Sequence, residues 1–288
     1  MPKVQLGSQP TLDQVVHRIS DISTLPHIAL KVMEVANDPA SGAADLKEAM
    51  ETDAALCARV LRCVNSSAYA VRGKITNLQH AIAYLGLKQV RNLAMTAAVS
   101  DLFKKNEPIG PYRRINLWRH LVSVGICARL IALRMNFMNF EDVFLAGLLH
   151  DIGIVLEDQH LHDQFVAMIG GLAEGKSLLE VEREHFGFDH TALGQLVAGK
   201  WGFPEAVKAA IRNHHNSAAY RGSEVDAVRC VEVANLICTA KDITSVGMKL
   251  VVFSRPAFEG LALGRDDILV LSENLDQELA NNAILFDI

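Results

Sequence analysis

The run Leu145-Ala-Gly-Leu-Leu-His-Asp-Ile-Gly153 limits what this chain can fold into more than any other stretch, because it sets a histidine and an aspartate into an apolar helix end. Leu145, Leu148, Leu149 and Ile152 recur at helical spacing, so the segment is expected to be buried. Gly153 reads as the stop of that helix, since glycine tolerates the left-handed conformation that follows a last turn. His150 and Asp151 then occupy the final turn, about 100° apart around the axis. An ionisable group left without a partner in such surroundings costs about 1–3 kcal/mol, out of a total stability of about 5–15. The pair must face other polar groups or an ion.

Groups of the right kind interrupt other helical patterns. His120, His190, the pair His214-His215 and Asn235, with His150 and Asp151, supply nitrogen and oxygen donors of the sort that hold one or two divalent transition metals such as Fe, Mn, Ni or Zn. Spacing does not prove that they meet; each could equally be a satisfied core residue or a solvated helix end. His120 shares a stripe with Asn116, Ser123 and Cys127, small or polar side chains that let a helix or an ion approach. His190 follows Asp189, read as a helix cap, and a helix N-terminus disfavours charging imidazole, so His190 is expected to be neutral and able to ligate. Asn235 lies on the stripe of Val231, Ala234 and Cys238 and needs a partner if buried.

Around these groups the chain reads as helix after helix. Thr24-Leu25-Pro26 opens one that Asn37-Asp38-Pro39 closes; Asp53 and Asn77 are placed to cap two more, the second stopping at Gly86. A longer one runs from Lys88 to Lys105. Asn106-Glu-Pro-Ile-Gly-Pro111 is the best boundary in the chain. Beyond it, helices are expected over 113–135, from Asn139 (with Asp142 as its capping-box acid), over 162–173, over 190–201, from Pro204 to the His pair, over 226–240 and over 265–280. The expected organisation is an N-terminal helical lobe at 11–105, a linker at 106–111, a second helical lobe at 112–243, and a helical extension at 244–288 packed on it.

Composition excludes several classes. A chain of 288 residues, 50% hydrophobic and 21% charged, is that of a folded protein with one large core or two modest ones. A net charge of −5 gives no bulk attraction to phosphate backbones. The one basic patch, Lys88, Arg91, Lys104, Lys105, Arg113 and Arg114, lacks interleaved aromatics and reads as a solvated face, so nucleic acid is not the expected partner. Five cysteines without C-x-x-C spacing suit reduced thiols, and no leader or span of about 18–20 apolar residues is read, so the expected setting is the cytoplasm, with no membrane contact. No P-loop, Gly-x-Gly-x-x-Gly or Gly-x-Ser-x-Gly motif occurs, and no organic cofactor is expected.

Taken together, Leu25-Pro26, Asp38-Pro39, Asp53, Arg59-Val-Leu61, Asn65-Ser66, Ile75, Ala81-Ile82 and Leu85-Gly86, followed by Trp118-Arg-His120, Leu148-Leu-His-Asp-Ile-Gly153, Glu184, His190, Leu193-Gly194, Trp201-x-x-Pro204 and His214-His215, resemble the HDOD family of bacterial signalling proteins over roughly residues 18–240. The resemblance implies an all-α fold of two packed lobes, the C-terminal one like the HD superfamily of metal-dependent phosphohydrolases. In the related HD-GYP enzymes, which cleave cyclic dinucleotides, paired metals bridge a hydroxide, and His120, His150, Asp151, His190, His214 and His215 match ligand positions there. Departures weigh against turnover. Ile154 replaces a lysine three residues after the aspartate, Asn235 the late aspartate ligand and Asn116 a glutamate, and no Gly-Tyr-Pro follows the His pair. Two lost negative charges weaken the hold on two dications. The expected function is a regulatory module acting through a signalling protein partner, with a metal-binding but non-catalytic site. The alternative is a metal-dependent phosphohydrolase with a nucleotide ligand, acting on a cyclic dinucleotide or other nucleotide phosphodiester, with His150 and Asp151 as its catalytic candidates.

Overall fold

A computed structural model describes residues 10–22, 25–69, 71, 73–104, 107–173, 175–251 and 253–287. The protein is all-helical, and no strand occurs among the described residues. In the first half, α1 (Leu12–Ile22) is followed by α2 (His27–Asn37), α3 (Ala43–Glu51), α4 (Ala54–Val64), α5 (Leu78–Leu85) and α6 (Leu87–Val99). Asp53 and Asn77 cap α4 and α5 as their chemistry demands, their side chains accepting from the amides of Leu56 and His80. Gly86, at φ +86°, ends α5 and turns the chain directly into α6. Every residue of α6 from Val90 to Val99 is buried, and α2, α3, α4 and α5 pack around it.

The second half is built on α7 (Arg114–Arg134), whose neighbours are α8 (Phe140–Leu149) and α14 (Val225–Ala240). By length and composition α7 would also cross a membrane, contrary to the expectation that no such run exists; 72% of that window is buried inside the fold, as the core helix of a folded lobe requires. Then come α9 (Ile152–His160), α10 (His162–Gly170), α11 (Leu178–Phe186), α12 (His190–Lys200) and α13 (Glu205–Asn213). The extension adds α15 (Arg255–Gly260) on α14 and α16 (Arg265–Asn281) on α7, and the last turn returns to α7, where the Trp118 indole donates to the Leu285 carbonyl at 3.0 Å. The first helix, α1, packs on α9 and α12.

Several local expectations are overturned. Gly153 does not stop a helix: α8 ends at Leu149, His150 and Asp151 form the turn, and Gly153 lies inside α9. Asn139 and Asp142 form no capping box; the Asp142 carboxylate instead binds Lys88 at 2.7 Å and Arg91 at 2.9 Å, both from α6. Pro204 sits at the cap of α13 rather than its first position. The basic patch is largely paired: besides Lys88 and Arg91, Lys104 meets Asp101, Arg114 meets Asp158, and Arg113 donates to two backbone carbonyls, while Lys105 lies outside the described residues.

Candidate metal centre

Close backbone contact brings the candidate groups together. A Cβ on Gly147 would come within 2.9 Å of Gly125 Cα, so α7 and α8 touch at their backbones, and His120 and His150 meet just beyond the contact. On the other side a Cβ on Gly153 would lie 2.0 Å from the His190 carbonyl oxygen, so α9 lies directly against the start of α12. The His150-Asp151 turn is thereby held between His120 on α7 and His190 on α12, and the end of α13 delivers His214 and His215.

Two groups result, sharing one carboxylate: Asp151 with His190, His214 and His215, and Asp151 with His120 and His150, each with its donor atoms within 4.8 Å of one another. Asp151 Oδ1 is 3.1 Å from both His190 Nε2 and His214 Nε2, and His190 Nε2 is 3.2 Å from His215 Nε2. Asp151 Oδ2 is 3.3 Å from His150 Nε2 and 3.6 Å from His120 Nε2, and those two nitrogens are 3.3 Å apart. Around an ion with bonds of about 2.1 Å, neighbouring donors fall about 3.0–3.4 Å apart, close to these separations. His215 is half-buried; His120, His150, His190, His214 and Asp151 are buried.

The outer nitrogens show how the rings are aimed. His120 Nδ1 lies 2.8 Å from the Ile243 carbonyl, His150 Nδ1 2.8 Å from the Gly147 carbonyl, and His214 Nδ1 3.0 Å from the Ile211 carbonyl. A carbonyl only accepts, so each Nδ1 carries the proton and each Nε2 presents a lone pair inward. Lone pairs of His120 and His150 facing each other at 3.3 Å repel unless a cation or proton lies between them. His214 Nε2 is buried and makes no hydrogen bond, and Asp151 Oδ1 faces the imidazole nitrogens of His190 and His214, each at 3.1 Å. Orphaned donors inside oriented rings fit a metal's ligand set, in which the outer ring nitrogen is held by a carbonyl or carboxylate.

Burial pulls His120 down to about 4, its neighbour His150 acting in the same direction, and burial likewise pulls His214 down to about 4, which keeps both neutral. Burial opposes charge on Asp151, but the surrounding imidazoles outweigh it and hold its carboxyl well below the usual range. His190 reverses its expectation. Burial alone would lower it, yet the Glu182 and Asp151 carboxylates hold it well above the ordinary value, so a cation arriving there must displace a proton. The helix N-terminus is outweighed by a full charge from α11.

Glu182 was not among the sequence candidates. Its carboxylate accepts from His190 Nδ1 at 2.8 Å and from the His190 amide at 3.0 Å, fully buried. Beside it Glu157 is buried with neither oxygen hydrogen-bonded, and burial together with the charge of Glu182 pushes its carboxyl well above the usual value. Asn235, buried, accepts from Thr239 Oγ1 at 3.3 Å and lines a cavity of about 100 Å³ with Asp151, His214, His215 and Glu232. The segment 245–251 supplies another part of that wall through Ser245, Val246, Met248, Leu250 and Val251, and the start of α11 a third through Ser177, Leu178 and Leu179. Glu232 was also unforeseen; it accepts from the Ser217 amide at 2.9 Å and braces the turn after His215. An acid in a helical run carries no mark of which remote group it serves.

Residues 22–217 match the model of the HDOD domain family. The fold superposes on an HDOD domain protein with unknown function from Geobacter sulfurreducens at a TM-score of 0.78 and 27% identity, over 96% of this chain and 97% of that one. It is similar also to a protein from Shewanella amazonensis SB2B provisionally named a phosphohydrolase (TM-score 0.74, 21% identity, 95% and 97% covered). A protein from Marinobacter aquaeolei VT8, provisionally named a signal transduction protein, has a TM-score of 0.76 and 22% identity, with 98% and 62% covered. A Treponema pallidum (strain Nichols) protein named only as uncharacterized is 23% identical over 218 residues, 74% of this chain and 41% of that protein; the chain thus spans about two fifths of the length of the curated relative it matches.

Proposed function

Because the chain belongs to the HDOD family, we propose that it is a bacterial signalling module that works through contacts with a partner protein, and that its second lobe carries a buried divalent transition-metal centre without hydrolytic turnover. One observation carries the second half of this reading: the cavity lined by Asp151, His214 and His215 measures about 100 Å³ and is walled in part by residues of the segment 245–251. Pockets for small-molecule ligands run to about 300–1,000 Å³, so a nucleotide has no room beside Asp151. Ile154, standing where hydrolytic relatives carry a lysine, is fully buried and offers a phosphate nothing. A bound ion would supply Lewis acidity and positive charge; Asp151 with His190, His214 and His215 would hold one and Asp151 with His120 and His150 another, Glu182 and three backbone carbonyls fixing the rings. Five unpaired thiols suit the reducing cytoplasm.

The retained ligand set favours a second reading, a metal-dependent phosphohydrolase acting on a nucleotide phosphodiester with His150 and Asp151 at its centre. The two are separated by assaying the chain with Mn²⁺ or Fe²⁺ on cyclic dinucleotides and on an activated phosphodiester, beside His150→Ala. The regulatory reading expects the same negligible rate from both proteins. Turnover that disappears in His150→Ala would establish the enzyme instead.

A further inference from the structure

The two groups that share Asp151 are unequal, and the inequality predicts an order of loading. Resting on the metal centre proposed above, we infer that the first divalent ion to bind is held by Asp151, His190, His214 and His215, and that the His120–His150 side fills later or not at all. Donor number is the first argument: four donor atoms from four residues close a tetrahedral shell on one side, and the other side offers three.

Charge is the second. His190 gives its outer N–H to the buried carboxylate of Glu182, whereas His120 and His150 give theirs to the uncharged carbonyls of Ile243 and Gly147. A carboxylate behind a ligating imidazole makes the ring a stronger donor and adds negative charge close to the ion. Asn235, held by Thr239, adds no charge to either side. Approach is the third argument, because the 100 Å³ cavity is lined by Asp151, His214 and His215 and touches neither His120 nor His150. Three imidazoles and one carboxylate select a borderline ion such as Zn²⁺, Fe²⁺, Ni²⁺ or Co²⁺ over Mg²⁺ or Ca²⁺, which take oxygen shells.

Co²⁺ is the probe, with elemental content and the visible spectrum read on the full chain and on His120→Ala and His215→Ala, each checked for helical content. The wild type is expected to take one Co²⁺ per chain with the intense absorption of a four-coordinate site. His120→Ala should keep that ion and spectrum; His215→Ala, folded, should bind at least about 100-fold more weakly. If His215→Ala fails to fold, His215→Gln takes its place. Loss of the ion in His120→Ala but not in the His215 variant, or two ions bound equally by the wild type, overturns the inference and leaves the proposed function standing. A wild type that binds no ion removes both the inference and the metal centre. Phosphodiester turnover by the singly loaded protein would overturn the non-catalytic reading alone.

Discussion

A methyl group placed on Gly153 would sit 2.0 Å from the His190 carbonyl oxygen and 2.9 Å from His190 Cα, both backbone atoms that can yield only by moving α9 from α12. Gly153→Ala is therefore expected to destabilise the protein by about 3 kcal/mol, the upper end of ordinary overpacking, and to weaken metal binding with it. Urea unfolding measures the first effect and chelator competition the second; an unchanged midpoint would mean that the two helices can part freely. Glu182→Gln tests a subtler role. The amide keeps the shape and loses the charge behind His190, so ion affinity should fall about 10–100-fold with helical content unchanged. Affinity equal to the wild type would reduce Glu182 to a packing residue.

At the level of elements, the segment Ile243–Val251 is more than a connection to the extension. Ile243 orients His120, Val246 is buried, and Gly247, at φ +80°, has no room for a Cβ, which would meet the Pro111 carbonyl oxygen at 2.4 Å. Gly247→Ala carries both an unfavourable backbone conformation and that collision, so the segment should lift from the turn at Pro111. Hydrogen exchange at residues 243–251 and metal release to a chelator should both accelerate; exchange as slow as in the wild type would show that Pro111 is not its anchor. Local chemistry explains what was readable among the helices. Asp53, Asn77 and Asp189 cap as foreseen because a cap is decided within four residues. α9 and α11 went unseen: α9 follows α8 after a two-residue turn with no breaker between them, and both carry an acid, Glu157 and Glu182, whose burial nothing nearby in the sequence signals.

Across the whole molecule the two halves are joined by charge as well as by packing. Asp142 on α8 holds Lys88 and the buried Arg91 of α6, and Asn92 of α6 donates to Glu141 Oε2 at 2.8 Å. Burial works against the Asp142 carboxylate, but Lys88 and Arg91 outweigh it and keep its pKa below the ordinary 3.8. A depressed folded pKa contributes stability that is fully present above the unfolded value and is lost as pH falls through the folded one. Asp142→Asn should cost about 3 kcal/mol near neutrality, since it leaves Arg91 buried without its counter-charge. The gap between mutant and wild-type urea midpoints should narrow once the pH drops below about 4; a gap independent of pH would assign the cost to packing. Convergence of Asp151 with the five histidines belongs to this scale too. Periodicity placed each on a helix but left open whether they met; the family resemblance supplied that expectation, and the helix contacts at Gly147 and Gly153 account for it.

The chain has two tryptophans, and Trp118 is buried with its indole N–H on the Leu285 carbonyl, two residues before His120. That makes the seam between the C-terminal turn and the core visible by light. Buried as it is, the ring should emit at shorter wavelength than a solvated tryptophan, and release of the last turn should redden that emission above the constant share of the buried Trp201, a label-free signal for anything that docks on, cuts or displaces the turn.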